Sequence, residues 1–309
     1  MGSADSASRL LLLNISHHEP KKGRPSFVEV NKRSVVIRTE DRNPERLERK
    51  VYERGLVTEF SKDSQRRLAR LLLNNAERFK YFFTLTYRKN HRDCKISKRH
   101  LDYFLTRFRK SNGKNVGYVW VLEFQARGAV HFHIWFEDIK TESFMEWQLI
   151  EVRKQIQLRF KDSIEDLNRF KYLTYLWLLV TEQLGDLKTM KASTDLKAIY
   201  SKGFTCSYAT KYLAKKEQKV YPGNVDEETG EISDPWIGRY WGASGSVRNE
   251  KVYFSENPKT VRIFRNWYKK LVSSNRFSGL RLMYKEAEAD RVSTLLDDLD
   301  RAKFTKEAE

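Results

Sequence analysis

Hydrophobic and polar positions alternate most cleanly in two stretches of this chain. Residues 81–87, Y-F-F-T-L-T-Y, put Tyr81, Phe83, Leu85 and Tyr87 on one side of a predicted strand and Phe82, Thr84 and Thr86 on the other. Residues 119–136, V-W-V-L-E-F-Q-A-R-G-A-V-H-F-H-I-W-F, read as two strands joined by a short glycine-containing turn, a β-hairpin. Helical spacing appears elsewhere. Val57, Phe60, Leu68, Leu71 and Leu72 form an apolar side within 45–79, and Leu101, Phe104, Leu105 and Phe108 one within 97–110, where Ser97 is the expected N-cap. Residues 141–181 read as two helices, the first carrying Met145, Leu149, Val152, Ile156 and Phe160; residues 172–180 fit either a buried helix or a strand. The remaining pattern predicts a hairpin over 27–38, a strand over 194–200, a helix over 204–219, short strands near 236–242 and 250–255, and a helical tail from about residue 258.

The parity of the hairpin turn decides what faces what. Alternation puts His131 and His133 on one face of the second strand, with Phe132 opposite, and Glu123 and Gln125 on one face of the first. A two-residue loop, Arg127-Gly128, sets Glu123 across from Phe132 and away from the histidines. A three-residue loop, Ala126-Arg127-Gly128, with Gly128 in the left-handed conformation, sets Glu123 directly across from His131. The second register is the expected one. Two imidazoles and a carboxylate on adjacent strands then compose a divalent-metal donor set; otherwise they are polar groups on the wet face of a sheet.

Composition narrows the partners. The chain of 309 residues has 59 Lys and Arg against 41 Asp and Glu, a net charge of +18, which points to a polyanion and most simply to nucleic acid. Between residues 61 and 110 the basic excess is steepest; Lys62, Arg66, Arg67 and Arg70 lie there, as either a solvated helix face or a DNA contact. Seven Trp, 15 Tyr and 18 Phe offer flat surfaces for unpaired bases, besides forming core. Two cysteines without C-x-x-C spacing argue against a disulfide framework or a cysteine zinc site and fit a reducing cytoplasm. No apolar run reaches membrane-spanning length, so no membrane partner is expected.

Candidate chemistry is added by residues 204–219. Tyr208 and Tyr212 are four apart and share one helix side, with Lys211 beside them and Lys215, Lys216 and Lys219 continuing a basic stripe. Two phenols so placed are either packing or nucleophiles. Tyrosine is a weak nucleophile at neutral pH, and a phosphodiester repels attack through its own charge. A divalent cation on a non-bridging oxygen would relieve both difficulties, giving a 5′-phosphotyrosine link and a free 3′-hydroxyl. A second tyrosine on the same side could then attack in turn.

The motif order resembles the HUH endonucleases of rolling-circle replication, most closely the replication initiators of filamentous and related small single-stranded DNA phages. Phe82-Phe83-Thr84-Leu85-Thr86 resembles the first motif of that family, and His131-Phe132-His133 its histidine–hydrophobe–histidine motif. Tyr208 to Tyr212 with Lys211 is similar to its Y-x-x-K-Y motif, and Gly238-Arg239-Tyr240-Trp241-Gly242 to a downstream element. The resemblance implies His131, His133 and Glu123 as ligands of Mg²⁺ or Mn²⁺, Tyr208 and Tyr212 as nucleophiles and Lys211 as their helper. Arg88, Lys89, Arg127, Lys215, Lys216 and Arg239 are the expected DNA contacts. The fold it implies is α+β: a central antiparallel sheet of about five strands, HUH/RRM-like, backed by helices, with helical N- and C-terminal extensions. Residues 1–78 would then be a basic arm and helix, 79–245 the nuclease domain with a helical insertion at about 141–185, and 246–309 a helical extension.

The implied partners are single-stranded DNA at a replication origin and, since no G-x-x-x-x-G-K-[ST] occurs, a host helicase and polymerase in a bacterial cytoplasm. Two other functions use the same residues. One is a relaxase or transposase-type strand transferase; the other is a non-catalytic single-strand binder, which would tolerate loss of both tyrosines. A single active tyrosine also stays open.

Overall fold

The structure, a computed structural model, describes residues 26–38, 57, 59–87, 89–140, 164–183, 193–214, 224–225, 232–233, 237–272, 279–283 and 286–307. It is α+β. The elements in chain order are β1 (Phe27–Asn31), β2 (Ser34–Arg38), α1 (Lys62–Asn74), β3 (Tyr81–Thr86), α2 (Cys94–Asn112), β4 (Tyr118–Phe124), β5 (Val130–Phe136), α3 (Ile164–Val180), β6 (Thr194–Ala198) and α4 (Lys202–Ala214). They continue with β7 (Asn224–Val225), β8 (Ile232–Ser233), β9 (Trp241–Ala243), β10 (Lys251–Ser255), α5 (Pro258–Val272), β11 (Gly279–Leu282) and α6 (Glu286–Glu307).

The expected central sheet is an antiparallel five-stranded one, in the order β6-β3-β5-β4-β9. One face is largely apolar. Phe83 and Leu85 of β3, Leu122 of β4 and Phe132, Ile134 and Phe136 of β5 are buried there. Helices α2 and α3 cover it, with Phe108 packed at a tilt on Phe136, 4.3 Å between ring centroids, and Trp177 edge-on to Phe132 at 6.5 Å. Residues 172–180, which the apolar pattern left open, are helical as part of α3. Trp177 also donates its Nε1–H to the Thr86 carbonyl at 3.1 Å, which ties α3 to the end of β3. The first helix expected over 141–163 lies outside the described residues.

Several boundaries differ from the sequence reading, each for a local reason. Helix α2 starts three residues before Ser97 because the Asp93 carboxylate accepts from the Ile96 N–H at 2.8 Å and acts as the N-cap. Ser97 instead lies in the first turn and donates its hydroxyl to the Asp93 carbonyl. Helix α1 begins at Lys62, capped by Ser61, so Val57 precedes the helix and is exposed rather than on its apolar side. The strand expected near 236–242 shrinks to β9 and shifts to Trp241–Ala243.

The terminal segments carry strands as well as the expected helices. β1 and β2 form the hairpin expected over 27–38, and β10 and β11 flank it in a four-stranded antiparallel sheet ordered β10-β1-β2-β11. Residues from both ends of the chain therefore share one core, in which Val28, Val30, Val35 and Ile37 pack with Val261, Phe264 and Tyr268 of α5. The C-terminal extension departs from an all-helical tail because β11 pairs along β2 over only four residues, too few for a period-two signature.

Helix α1 links the two sheets. Its apolar side, Leu68, Ala69 and Leu72, belongs to the first core. Its polar side meets the second sheet: Asn74 accepts from the Arg33 N–H at 2.8 Å, and the Arg70 guanidinium donates to Glu29, Asn31 and Ser34. Of the four basic positions on this helix, Arg70 is thus a structural tie. Lys62 and Arg67 are exposed. Among the described residues, no helix is long and apolar enough to cross a membrane.

Phe132 is fully buried at the centre of the five-stranded sheet, between Trp120 and Trp177. Phe132→Ala is expected to destabilise the protein by about 3–5 kcal/mol in urea unfolding, through lost transfer energy and a residual cavity. A loss under about 1 kcal/mol would mean that the site collapses freely.

Candidate functional site

The face of the central sheet opposite α2 and α3 gathers the polar positions. Along β4 and β5 the register pairs Glu123 with His131 and Val121 with His133. The loop responsible has three residues, 126–128: the Gly128 N–H donates to the Gln125 carbonyl at 2.8 Å, and the Gln125 N–H to the Ala129 carbonyl at 2.9 Å. Gly128 closes it at φ 85°, in the left-handed region where a side chain is strained. The parity expected from sequence is the one the chain adopts.

On the other side of β5, β3 pairs Thr86 with His131 and Thr84 with His133. Both threonines use this proximity. The Thr86 hydroxyl is 2.7 Å from His131 Nδ1 and the Thr84 hydroxyl 3.1 Å from His133 Nδ1. With Nδ1 engaged on each ring, the Nε2 atoms are left for the site, and the His133 Nε2 lies 3.6 Å from the Glu123 carboxylate. The imidazoles meet edge to face, 4.5 Å between centroids. The sequence placed Thr84 and Thr86 on one strand face; their role as orienters follows only from the β3–β5 register, which joins segments some 45 residues apart.

Burial shapes the electrostatics. It pushes the His131 imidazole down to about 3, helped by the neighbouring His133 and opposed by Glu123, so the ring is neutral across the physiological range. Glu123 is itself buried. A neutral imidazole beside a carboxylate suits a borderline cation such as Mn²⁺, and the carboxylate suits Mg²⁺. Among the described residues no group of three or more His, Cys, Asp or Glu side chains is arranged to hold a metal ion.

Helix α4 lies over this face. Tyr208 packs on Phe82 with centroids 4.6 Å apart, on Phe204 at 4.9 Å and on Trp135 at 5.9 Å, and its ring is 6.3 Å from that of His133. Burial raises the Tyr208 phenol above its ordinary value, with the charges of Glu123 and Asp195 adding to the effect. Asp195, on β6 across from Thr84, is a carboxylate of this face that the motifs did not flag. The Lys211 ammonium lies 5.0 Å from the centre of the Tyr208 ring. Tyr212 falls on the same helix one turn on.

Of the expected DNA contacts, Lys89, Arg127 and Arg239 are exposed. Arg127 sits at the hairpin tip beside the histidines, its guanidinium donating to the Tyr87 carbonyl at 2.8 Å and to Gln125 at 2.9 Å. Arg239 offers its carbonyl to Lys98. Arg88, Lys215 and Lys216 lie outside the described residues.

The depressed His131 value carries a sign for stability. The unfolded chain takes up this proton below about pH 6.5, the folded chain only near pH 3, so acid favours unfolding. The melting temperature is expected to fall from pH 7 towards pH 4.5, and His131→Gln to flatten part of that fall. Parallel profiles would remove His131 as the cause.

No curated protein and no solved structure gives a significant match. Residues 80–217 match the family model described as replication-associated protein ORF2/G2P. That span runs from β3 to just beyond α4 and contains His131, His133, Glu123, Tyr208 and Tyr212. This segment is therefore similar to the replication-associated proteins of the ORF2/G2P family.

Proposed function

We propose that the chain is a rolling-circle replication initiator of the HUH type, which nicks and rejoins single-stranded DNA at an origin through a 5′-phosphotyrosine intermediate. The observation that carries this reading is Tyr208 on α4, packed on Phe82 and Trp135 and one ring contact from His133, on the sheet face that also carries Thr86, His131 and Glu123. In it, His131 and His133 through Nε2, with the Glu123 carboxylate, would hold Mg²⁺ or Mn²⁺. The bound cation would polarise the scissile phosphate and offset charge on its non-bridging oxygens.

The chain's own groups do the rest. Tyr208 attacks phosphorus; the bond to the 3′-oxygen breaks, and that oxygen ends with the proton the phenol gives up. A phenol whose ionisation is disfavoured by burial and by two carboxylates needs a compensating charge, which the Lys211 ammonium provides from beside the ring. Tyr212, one turn on, is the second nucleophile, which would return the strand to its 3′-end. Arg127 at the hairpin tip and exposed Lys89 and Arg239, with Arg88, Lys215 and Lys216, hold the DNA backbone electrostatically. Thr84 and Thr86 keep the imidazoles turned toward the site. Host helicase and polymerase would supply unwinding and synthesis.

A denaturing-gel assay with single-stranded oligonucleotides tiling a candidate origin, in Mn²⁺, tests this. A covalent protein–DNA band is expected, absent in Tyr208→Phe and His131→Ala and reduced about 10-fold in Thr86→Val. Tyr212→Phe should keep the first cleavage and lose strand transfer. A band indifferent to Tyr208, Tyr212 and His131 alike would overturn the reading.

A further inference from the structure

The four-stranded sheet has a covered face and an open one. Val28, Val30, Val35 and Ile37 point to the core beneath α5, so the residues between them point the other way. At one end that second face is occupied by α1, through Arg70 and Asn74. At the other end it is bare. Phe254 on the edge strand β10 is 45% exposed and Val252 63% exposed, unusual values for large apolar side chains on a strand.

Two aromatic rings and two cations meet there. Phe27 on β1 lies 5.5 Å from Phe254, centroid to centroid and tilted by 37°, so the two rings adjoin as one aromatic patch. The Arg38 guanidinium stands 5.0 Å from the centre of the Phe27 ring, and the Lys251 ammonium 4.4 Å from that of Phe254. The sole carboxylate among the described side chains of these strands on this face is Glu29, and it is neutralised by ion pairs to Arg70 and Lys251. Among the described residues this end is therefore exposed, aromatic and positively charged.

We propose that this face is a second binding surface for single-stranded DNA, on which unpaired bases stack against Phe254 and Phe27 while Arg38 and Lys251 meet the phosphates. The chemistry is that of sequence-tolerant strand binding: rings take any base, and cations held beside them track the backbone. Arg38 adds its own planar group to the stacking surface. A protein partner would be met by apolar area without the need for cations placed on each ring. Duplex DNA hides its bases and offers the rings nothing. The surface acts independently of the tyrosine chemistry, since it needs neither metal nor cleavage, and it would hold the strand flanking the central sheet.

Anisotropy of labelled oligo(dT) with the full chain in EDTA tests this without cleavage. Phe254→Ala is expected to weaken binding about 5- to 100-fold, while Phe254→Trp retains it. Arg38→Gln with Lys251→Gln should lower the slope of log affinity against log salt by about 1.4, at about 0.7 per phosphate contact. Unchanged circular dichroism melting would show that these surface variants fold. Ultraviolet cross-linking of bromodeoxyuridine-substituted DNA to a peptide containing Phe254 gives an independent positive result. Wild-type affinity in both Phe254→Ala and the double charge variant would overturn the proposal. So would a change from dimer to monomer on sedimentation of Phe254→Ala with DNA affinity intact, which would assign the face to a second copy of this chain.

Discussion

Alternation along β5, locked between two neighbours, is the constraint on which the rest of the protein depends. Phe132, Ile134 and Phe136 are drawn into the core under α2 and α3, and this forces His131 and His133 to the opposite face. A slip of one residue would carry both imidazoles into the apolar core beneath α2 and α3 and move three large apolar side chains out of it, at a cost of several kcal/mol. The core thus fixes the face on which the histidines stand, and Phe82 of that core stacks on His133 at 5.1 Å. β3 and β4 then complete each row: Thr86–His131–Glu123 and Thr84–His133–Val121.

Helix α4 converts that face into a candidate reaction centre. Phe204 and Tyr208 pack on Phe82 and Trp135, two aromatics of the same sheet face, so the contact that anchors the helix also sets the phenol beside His133. The same packing raises the phenol's ionisation cost, and the Lys211 ammonium lies 5.0 Å from the centre of its ring. Structural and chemical demands fall on the same side chains. The second sheet stands apart from this arrangement, tied on by the polar side of α1 and built from both ends of the chain.

How much of this could be read beforehand follows from the range of each interaction. Hairpin register was legible because it depends on a three-residue loop and on one glycine with φ 85°. Strand faces were legible in Y-F-F-T-L-T-Y and in H-F-H, since the pattern is local. The threonine–imidazole bonds were not, because they follow from pairing between distant segments, although Thr84 and Thr86 were already on one face. Asp195 was missed for the same reason. The N-cap of α2 was misplaced because Asp93 and Ser97 both suit the role and only geometry chooses. β11 was missed because four residues carry no period, and its partner β2 lies some 240 residues earlier.

The account's central claim is that the side chains on the β3–β5–β4 face and on α4 work as one site. Tandem mass spectrometry of the protein–DNA adduct, after nuclease and protease digestion, tests it most directly. It should find the nucleotide remnant on the peptide of α4, on Tyr208 or Tyr212. A remnant on any other residue, with α4 unmodified, would contradict the account.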